Sequence, residues 1–222
     1  MKWHDELVYS KKSHRKVALL PKPSAQLAEF IGIMLGDGGI HTPWQATISL
    51  NWLSDKEYAE YIVDLCIKLF AIKPSVYKRK TRNTAVIRLS NTNVVEHIIS
   101  LGLHRGNKLQ QGLRIPSWIM EKKAYKIACL RGLVDTDGCI YIHKHRIKNK
   151  EYKNIGLTFT SYSPELIVQV AEILAELKIM PHITNRHRDV YLYRADAVAK
   201  YLELVGTSNP RISSVYNSWK GG

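Results

Sequence analysis

Hydrophobic positions are densest in two segments of the chain, residues 30–38 and 130–138, each of which ends in Asp-Gly. Both segments are apolar nearly all round, which is typical of a buried helix. Small residues recur every four positions and therefore on one helix face, at Ala28, Gly32 and Gly36 and again at Ala128, Gly132 and Thr136. A face without bulky side chains lets two backbones approach closely. The pattern predicts two helices that pack side by side at the centre of the molecule and end at Gly38 and Gly138.

Outside these segments, the hydrophobic pattern of the first half is repeated in the second half. The first half is predicted to contain a strand within residues 40–52, a helix opened by a capping box at 54–57, a hairpin over 75–90 and a short helix over 93–101. The second half is predicted to contain a hairpin from 140–146 and 152–160, a helix over 163–177, a hairpin from 182–186 and 189–193, and a closing helix over 196–205. This order predicts an α+β fold of two pseudo-symmetric α-β-β-α-β-β-α halves with paired central helices.

The repeat also suggests how the chain is divided. We expect a basic N-terminal arm over residues 1–23, a first half over 24–105, a linker over 106–117 and a second half over 118–222. Pro74 and Pro181 each follow the second helix of their half, at an offset of 107 residues, so the repeat extends beyond the apolar segments. The arm is predicted to have little structure of its own and to be free to lie on a polyanion.

The chain is strongly basic, because 33 Lys and Arg residues against 19 Asp and Glu residues give a formal net charge of +14. This excess indicates a polyanionic partner. No apolar run reaches the ~18–20 residues of a membrane span, and the N-terminus lacks an apolar signal core. We therefore expect an intracellular protein, in the cytoplasm, the nucleoid or an organelle, that is not secreted. Cys66, Cys129 and Cys139 lack metal-binding spacing and are expected to be reduced core residues.

The two Asp-Gly ends place one carboxylate in each half, Asp37 and Asp137, which are 100 residues apart. At a helix end each carboxylate lies beside free backbone carbonyls and the negative end of the helix dipole, where a divalent cation is favoured. The carbonyls of Gly36 and Thr136 are candidate further ligands. One Asp-Gly pair is also a common turn, but two copies on matched apolar helices favour metal binding. Asp135 has no partner in the first copy and is interpreted as a solvated or packing-edge acid.

The two segments resemble the LAGLIDADG motif of homing endonucleases, and the resemblance extends over about residues 24–219. The first copy departs from the pattern at Phe30, Leu35 and Gly36, but none of these replaces the penultimate acid. The resemblance implies a site-specific endonuclease of the mobile-intron type that makes a double-strand break in DNA. It implies that Mg²⁺ or Mn²⁺ supports cleavage, and that Ca²⁺ binds without supporting it. The implied protein is a monomer with internal pseudo-two-fold symmetry, whose partner is double-stranded DNA and which has no obligate protein partner.

Four more residues are candidates for the catalytic centre. Lys108 resembles the basic residue that many family members place beside the active-site water, and Arg211 is its approximate counterpart. The alternative for Lys108 is a phosphate contact or a solvated side chain. Asn51 and Thr158 lie 107 residues apart at predicted strand ends, where their side chains are placed to order a nucleophilic water. The alternative for both is that they are simply exposed polar residues at strand ends.

Polar side chains on the predicted hairpins are candidates for DNA recognition, because Arg and Lys pair with guanine edges, Asn and Gln with adenine, and all of them with phosphate. The candidates are Gln45, Thr47, Ser49, Lys78, Lys80, Arg82, Arg88, Tyr141, His143, His145, Lys153, Thr184, Arg186, Arg188 and Tyr193. Fewer than half are expected to read bases. Arg186 is the expected base reader, because it ends an alternating strand, whereas Arg82 at a hairpin tip is expected to contact phosphate. The histidine pair lacks partners at zinc spacing and is interpreted as facing DNA or solvent. Strands of ~10 residues predict a target of order 20 base pairs.

Two other functions remain open on the same fold. One is an RNA-binding intron maturase, and the other is a non-catalytic DNA-binding regulator. The loss of either motif acid would favour these alternatives, and both Asp37 and Asp137 are present. The sequence therefore favours the nuclease.

Overall fold

The computed structural model describes residues 13–79, 83–147 and 150–221. The first half is built, in chain order, from α1 (Ala25–Gly36), β1 (Gly38–Thr42), β2 (Gln45–Asn51), α2 (Lys56–Phe70), β3 (Ser75–Lys78), β4 (Thr84–Ser90) and α3 (Thr92–Ser100). The second half is built from α4 (Ser117–Met120), α5 (Lys123–Asp137), β5 (Gly138–Ile147), β6 (Lys150–Thr160), α6 (Pro164–Glu176), β7 (His182–Ile183), β8 (Asp189–Leu192), α7 (Ala195–Leu204) and α8 (Pro210–Lys220). The predicted α+β fold of two pseudo-symmetric halves is confirmed.

Each half contributes one four-stranded antiparallel sheet, and the two sheets have the same topology. The strand order is β1-β2-β4-β3 in the first sheet and β5-β6-β8-β7 in the second. The registers also correspond, because Gly38 pairs with Ile48 and Gly138 pairs with Phe159. Alternate side chains of β2 and the inner part of β6 are buried against the helices, which leaves the other face of each sheet available for function.

The two motif helices pack side by side at the centre, as predicted. An added Cβ at Gly32 would lie 3.1 Å from the Cys129 carbonyl carbon, and one at Gly132 would lie 2.9 Å from the Ile33 amide nitrogen. Such distances mean that the backbones of α1 and α5 are in direct contact. One hydrophobic core, to which both halves contribute, surrounds this helix pair.

The glycines that follow the motif helices are required by close approach rather than by a left-handed cap. Gly138 is extended, with φ −93° and ψ 157°, and it already begins β5. An added Cβ there would lie 2.7 Å from Val134 Cγ1, and one at Gly38 would lie 2.8 Å from Met34 Sδ. The chain therefore turns back tightly over the last helical turn, which only glycine permits without displacing neighbours.

Several helices begin at polar residues that cap them. The side chains of Ser24, Asn91 and Ser163 accept hydrogen bonds from backbone amides in the first turns of α1, α3 and α6. The capping box predicted at residues 54–57 is wrong. Asp55 is the N-cap residue of α2 but makes no side-chain cap, because its carboxylate binds groups from the other end of the chain.

The second half contains two helices that were not predicted. A short helix, α4, precedes the motif helix, and α8 follows α7, so the helix expected to close the fold is not the final element. The sequence signal for α8 was its Asn209-Pro210 start, in which Asn209 caps the helix and Pro210 occupies its first position. This extra helix packs beside β5 and carries Arg211 towards the centre.

Residues 13–23 form no helix or strand, but they are bound to the first half. The amide of Thr92 donates to the carbonyl of His14, and the side chain of Asn91 donates to the carbonyl of Lys16. The His14 ring stacks on Trp44 at 4.9 Å. This part of the predicted arm is therefore held along α3 rather than free, while residues 1–12 lie outside the described residues.

One cysteine differs from its prediction, because Cys139 is exposed, whereas Cys66 and Cys129 are buried as expected. Cys139 is the second residue of β5 and points away from the core, since strand neighbours alternate between faces. Within the described ranges, no helix has the length and apolar character needed to cross a membrane.

Candidate active site and nucleic-acid interface

Asp37 and Asp137 meet at the ends of the two motif helices. An added Cβ at Gly36 would lie only 3.3 Å from Asp137 Oδ2, which shows how close the second carboxylate lies to the end of α1. The pKa of Asp37 is raised to about 7, chiefly by burial and next by the Asp137 carboxylate, while Lys108 acts in the opposite direction. Burial likewise raises the pKa of Asp137 to about 6, opposed by Lys108. Two carboxylates that resist ionisation are suited to a bound cation, which would stabilise their charged forms.

A cationic side chain from each half lies beside the two aspartates. Lys108 Nζ donates to three backbone carbonyls at the end of α1, among them those of Gly36 and, at 3.1 Å, Gly38. Arg211 Nη2 donates to the carbonyl of Gly138 at 3.4 Å. Lys108 and Arg211 thus contact equivalent glycines, as the sequence comparison predicted for their positions. The Gly36 carbonyl, a candidate metal ligand, is bonded to the Lys108 ammonium in this structure.

The predicted equivalence of Asn51 and Thr158 is wrong. The strand register pairs Gly39 with Thr47 and Cys139 with Thr158, so Thr47 is the counterpart of Thr158. Asn51 is exposed, and its side chain accepts two backbone amides of the turn that leads into α2. The error arose because α2 begins three positions farther along the chain from Thr47 than α6 begins from Thr158, so one sequence offset does not hold along the whole repeat.

Two buried acids near the centre, Asp135 and Glu29, form hydrogen bonds that connect parts of the fold. Asp135, predicted to be solvated or at a packing edge, is buried and accepts hydrogen bonds from the hydroxyl of Thr207 and, at 2.7 Å, the amide of Ser208. Burial raises its pKa to about 7. Glu29 is also buried and accepts from Arg131 Nη2 at 2.7 Å and from Ser208 Oγ at 2.8 Å. An acid within an apolar helix was the available signal, because a buried carboxylate needs partners.

Asp55 is a further charged residue near the centre that the sequence did not indicate. It is buried at the start of α2, and its Oδ1 accepts from Asn209 Nδ2 at 2.9 Å and from Arg211 Nε at 3.1 Å. The pattern Ser-Asp-Lys-Glu suggested a local cap, and sequence proximity gave no reason to connect it with residues more than 150 positions away.

A cavity of about 280 Å³ opens next to Asp37 on the outer face of the first sheet. Its polar lining includes the side chains of Asp37, His41, Thr47, Ser49, His104 and Lys108. His41 and His104 are new to the site, because neither belongs to a motif or a spaced pair in the sequence. The cavity joins the Asp37 carboxylate to Thr47 and Ser49, two of the sheet residues predicted to recognise DNA.

The outer face of the first sheet carries four of the predicted recognition residues, Gln45, Thr47, Ser49 and Arg88. The first three alternate along β2, and Arg88 lies directly opposite Thr47, so all four share a face. The Arg88 guanidinium lies over the Tyr77 ring at 4.5 Å and donates to its hydroxyl at 2.7 Å. This contact holds the arginine in one position on the face.

One candidate from the β3–β4 hairpin, Lys78, does not join that face. Lys78 lies opposite the buried Ala85, so it belongs to the other face of the sheet, where its ammonium lies 6.0 Å from the Trp52 ring centroid. Lys80 and Arg82 lie outside the described residues. Their assignment to DNA contact stays a prediction.

The outer face of the second sheet is lined by rings rather than by basic side chains. Tyr141, His143 and His145 alternate along β5, and Tyr193 follows β8 beside them. Tyr152 and Tyr191, which the sequence reading missed, complete this face through stacking on His145 at 5.5 Å and on Tyr193 at 5.0 Å. Lys153 lies opposite Lys144 and therefore on the other face, which corrects its placement with the recognition residues. The two halves thus offer different chemistry to a ligand.

The last hairpin is shorter than predicted, because β7 contains only His182–Ile183. Arg186 consequently lies in the turn and does not end a strand, so the reason for favouring it as a base reader is wrong. Thr184 and Arg186 line one shallow depression. The Arg188 guanidinium stacks over the exposed Tyr162 ring at 4.7 Å.

Family models match both halves of the chain. Residues 124–207 match the model of the LAGLIDADG-like domain, and residues 27–117 match the model of the WhiA LAGLIDADG-like domain. The chain is a two-motif member of the LAGLIDADG family. A comparison with curated protein sequences gave no match.

Solved LAGLIDADG structures share the fold at low sequence identity. The I-LtrWI homing endonuclease bound to target DNA matches with a TM-score of 0.60 at 11% identity, over 88% of each chain. The N-terminal LAGLIDADG domain of DUF199/WhiA matches at 0.56 and 15%, over 85% of each chain. I-DmoI in complex with DNA and Ca matches at 0.55 and 16%, over 87% of this chain and 97% of its own. Homing endonucleases and a WhiA domain thus have the same fold as this chain.

The donors at the ends of the two LAGLIDADG motifs fit a hard divalent cation. Mg²⁺ is usually held by one or two carboxylates and keeps several waters, and Asp37 and Asp137 supply two. Across the described ranges, no group of three or more His, Cys, Asp or Glu side chains is placed to hold a metal ion. Water or a DNA oxygen would therefore have to complete the coordination.

Proposed function

We propose that this LAGLIDADG protein is a site-specific endonuclease that cuts both strands of double-stranded DNA with the aid of a divalent cation. The observation that carries the proposal is the pairing of Asp37 and Asp137. Both carboxylates are retained, both lie at the ends of directly packed helices, and burial raises the pKa of each. A structural role alone gives no reason to place two acids where each opposes the ionisation of the other.

DNA as the partner is supported by charge and by the solved relatives. The chain has a formal net charge of +14, which suits a polyanion. The first half presents a sheet face with polar side chains next to Asp37, and the second half presents a sheet face with aromatic side chains. I-LtrWI and I-DmoI, which share the fold, were solved with DNA bound. We infer that the two sheets lie along successive parts of one duplex, with a target of order 20 base pairs.

The residues at the centre suit phosphodiester hydrolysis. Asp37 and Asp137 would hold Mg²⁺ or Mn²⁺, and the bound cation supplies charge stabilisation and a polarised water. Lys108 is placed to stabilise negative charge at one scissile phosphate and Arg211 at the other, since each contacts the backbone just after one aspartate. We further propose that the chain acts as a monomer, because it contains both halves of the centre, and that it belongs to a mobile intron.

A specific observation also favours a second function, that of a non-catalytic DNA-binding regulator. Residues 27–117 match the WhiA model, and the WhiA domain structure covers 85% of this chain, within the range of 83% to 90% found for the endonucleases. The retention of both motif acids is the reason for placing it second.

A cleavage selection on a randomised DNA pool with Mg²⁺ distinguishes the two functions. The nuclease predicts a recovered target that the protein then linearises in a plasmid, and Asp37→Asn or Asp137→Asn should abolish linearisation while DNA binding survives. Asp64→Asn is the matched control, because it makes the same chemical change on an exposed position of α2. If the protein binds a selected sequence but cuts nothing with Mg²⁺ or Mn²⁺, the regulator is the correct function. If either motif mutant cuts at the wild-type rate, the assignment of the aspartates is wrong.

A further inference from the structure

The two cations at the centre are held in different ways. Lys108 Nζ lies on backbone carbonyls at the end of α1, where the helix dipole favours a positive charge. Arg211 lies in the first turn of α8, where the dipole opposes a positive charge. Arg211 therefore lacks the favourable helix end that Lys108 has, and a nearby anion is needed to offset the unfavourable dipole.

Asp55 supplies that anion from the other half of the molecule. Its Oδ1 accepts from Arg211 Nε at 3.1 Å, and its Oδ2 accepts from Ser54 Oγ at 2.9 Å. The side chain of Asp55 is only 11% exposed and that of Arg211 29%, so water screens this ion pair less than it screens a surface pair. Asp55 itself lies at the N-terminus of α2, where a negative charge is favoured.

Asn209 fixes the start of α8 against the same carboxylate. Its Nδ2 donates to Asp55 Oδ1 at 2.9 Å and to the Asp135 carbonyl at 3.0 Å, while its Oδ1 accepts from the Arg211 amide at 3.0 Å. The backbone and the side chain of Arg211 are thus both oriented through one group. The remaining guanidinium contact, from Nη2 to the Gly138 carbonyl, points towards the catalytic centre.

Arg211 is held by a carboxylate at the start of a helix, whereas Lys108 is not. Ser163 is the counterpart of Asp55, because it is the N-cap residue of α6 as Asp55 is of α2. The Ser163 hydroxyl instead accepts from the amide of Leu166 and donates to the carbonyl of Leu113 at 2.5 Å. It neither carries a charge nor contacts Lys108.

We infer that Asp55 is a positioning residue for Arg211, so that its loss impairs cleavage of one DNA strand and spares the other. The inference rests on the proposed nuclease function. Asp55 itself does not contact the reacting atoms. It fixes the direction of the Arg211 guanidinium, and a small displacement of such a group can reduce a rate by up to about a hundredfold.

Single-turnover cleavage of a duplex target with a different label on each strand tests this. Asp55→Ala should slow one strand by roughly ten- to a hundredfold, leave the other within about twofold, and select the same strand as Arg211→Ala. Adding Asp55→Ala to Arg211→Ala should not increase the strand bias, because both changes remove one interaction. Ser163→Ala is the matched control and should leave the ratio of the two strand rates unchanged.

A second measurement separates positioning from folding. In protein labelled with ¹⁵N-arginine, the Arg211 Nε–H signal, assigned with Arg211→Lys, should exchange slowly with solvent in the wild type and rapidly in Asp55→Ala. Asp55→Asn keeps the acceptor oxygen and should restore part of the rate on the affected strand. Equal slowing of both strands, or no slowing of either, would overturn the inference while leaving the nuclease function intact. A wild-type protein that cuts neither strand would overturn both.

Discussion

Substitution of Gly132 by alanine tests the contact on which the whole molecule depends. An added Cβ at this position meets backbone and not flexible side chains, with the Glu29 carbonyl oxygen well inside 3.0 Å and the Ile33 amide nitrogen at 2.9 Å. Ordinary van der Waals contacts of a Cβ begin at about 3.4 Å. The methyl group therefore fits only if α1 and α5 move apart by about half an ångström or more along their contact.

The magnitude follows from two opposing effects. Alanine is favoured over glycine in a helix interior by about 1 kcal/mol, which would stabilise α5. Inserting a methyl group into a packed contact costs about 1–3 kcal/mol, and sometimes more, and here both neighbouring groups are backbone atoms of one helix. We expect a net destabilisation of about 1–2 kcal/mol. For a chain of this size that lowers Tm by about 2–8 °C.

Thermal unfolding followed by circular dichroism measures the effect. Gly221→Ala is the control, because an added Cβ there lies 3.5 Å from its nearest neighbour, and its Tm should stay within about one degree of the wild type. Gly132→Leu should lower Tm more than Gly132→Ala does. If Gly132→Ala unfolds at or above the wild-type temperature, the two helices are not in backbone contact and the central packing is wrong.

Three further predictions concern the chemistry of the chain. With limiting Mg²⁺, cleavage should fall as pH is lowered from about 8 to about 5.5. The pKa values of Asp37 and Asp137 are raised to about 7 and about 6, so protons compete with the cation in this range. More Mg²⁺ should therefore shift the pH profile of cleavage to lower pH. A bulky maleimide should block DNA binding measured by gel shift through exposed Cys139, and a Cys139→Ser variant should resist it. Glu29→Gln should reduce the free energy of unfolding, measured in urea, by about 2–3 kcal/mol. This is less than the cost of breaking a fully buried ion pair, because the Arg131 side chain is 29% exposed. An unchanged urea midpoint would show that the Glu29–Arg131 ion pair does not stabilise the fold.

The central architecture was predictable because its signals are local and repeated. Two apolar helices with matched small residues have few ways to pack, and the alternating strands between amphipathic helices set the order of elements. The positions of Asp37 and Asp137 followed from the same motifs, and that of Lys108 from the family resemblance. Long-range polar contacts left no comparable signal. The link from Asp55 to Arg211 joins residues at opposite ends of the chain, and a sequence pattern suggested a local cap instead.

Recognition residues were harder to predict, because a face of a sheet depends on register to the exact residue. Lys78 and Lys153 sit one position away from the outer faces that their neighbours occupy, and their type alone suggested DNA contact. The prediction that Arg186 reads bases depended on the length of β7, which contains only two residues. Only part of the aromatic face of the second sheet was predicted. Tyr152 joins it by stacking on His145 across strands, and Tyr191 by stacking on Tyr193 two positions along the chain.

The segment from Thr47 to the start of α2 is three residues longer than the equivalent segment from Thr158 to the start of α6, and this difference has an evolutionary consequence. Two identical chains that paired about an axis would have to carry identical connections, so any change would alter both halves of the centre at once. Duplication within one chain removes that constraint. Here the longer connection ends in Asp55, which reaches the helix that carries Arg211, while the shorter one ends in Ser163, which caps its own helix and donates to the Leu113 carbonyl. Each half is thus free to change its own contacts at the centre, and selection can act on one half without altering the other.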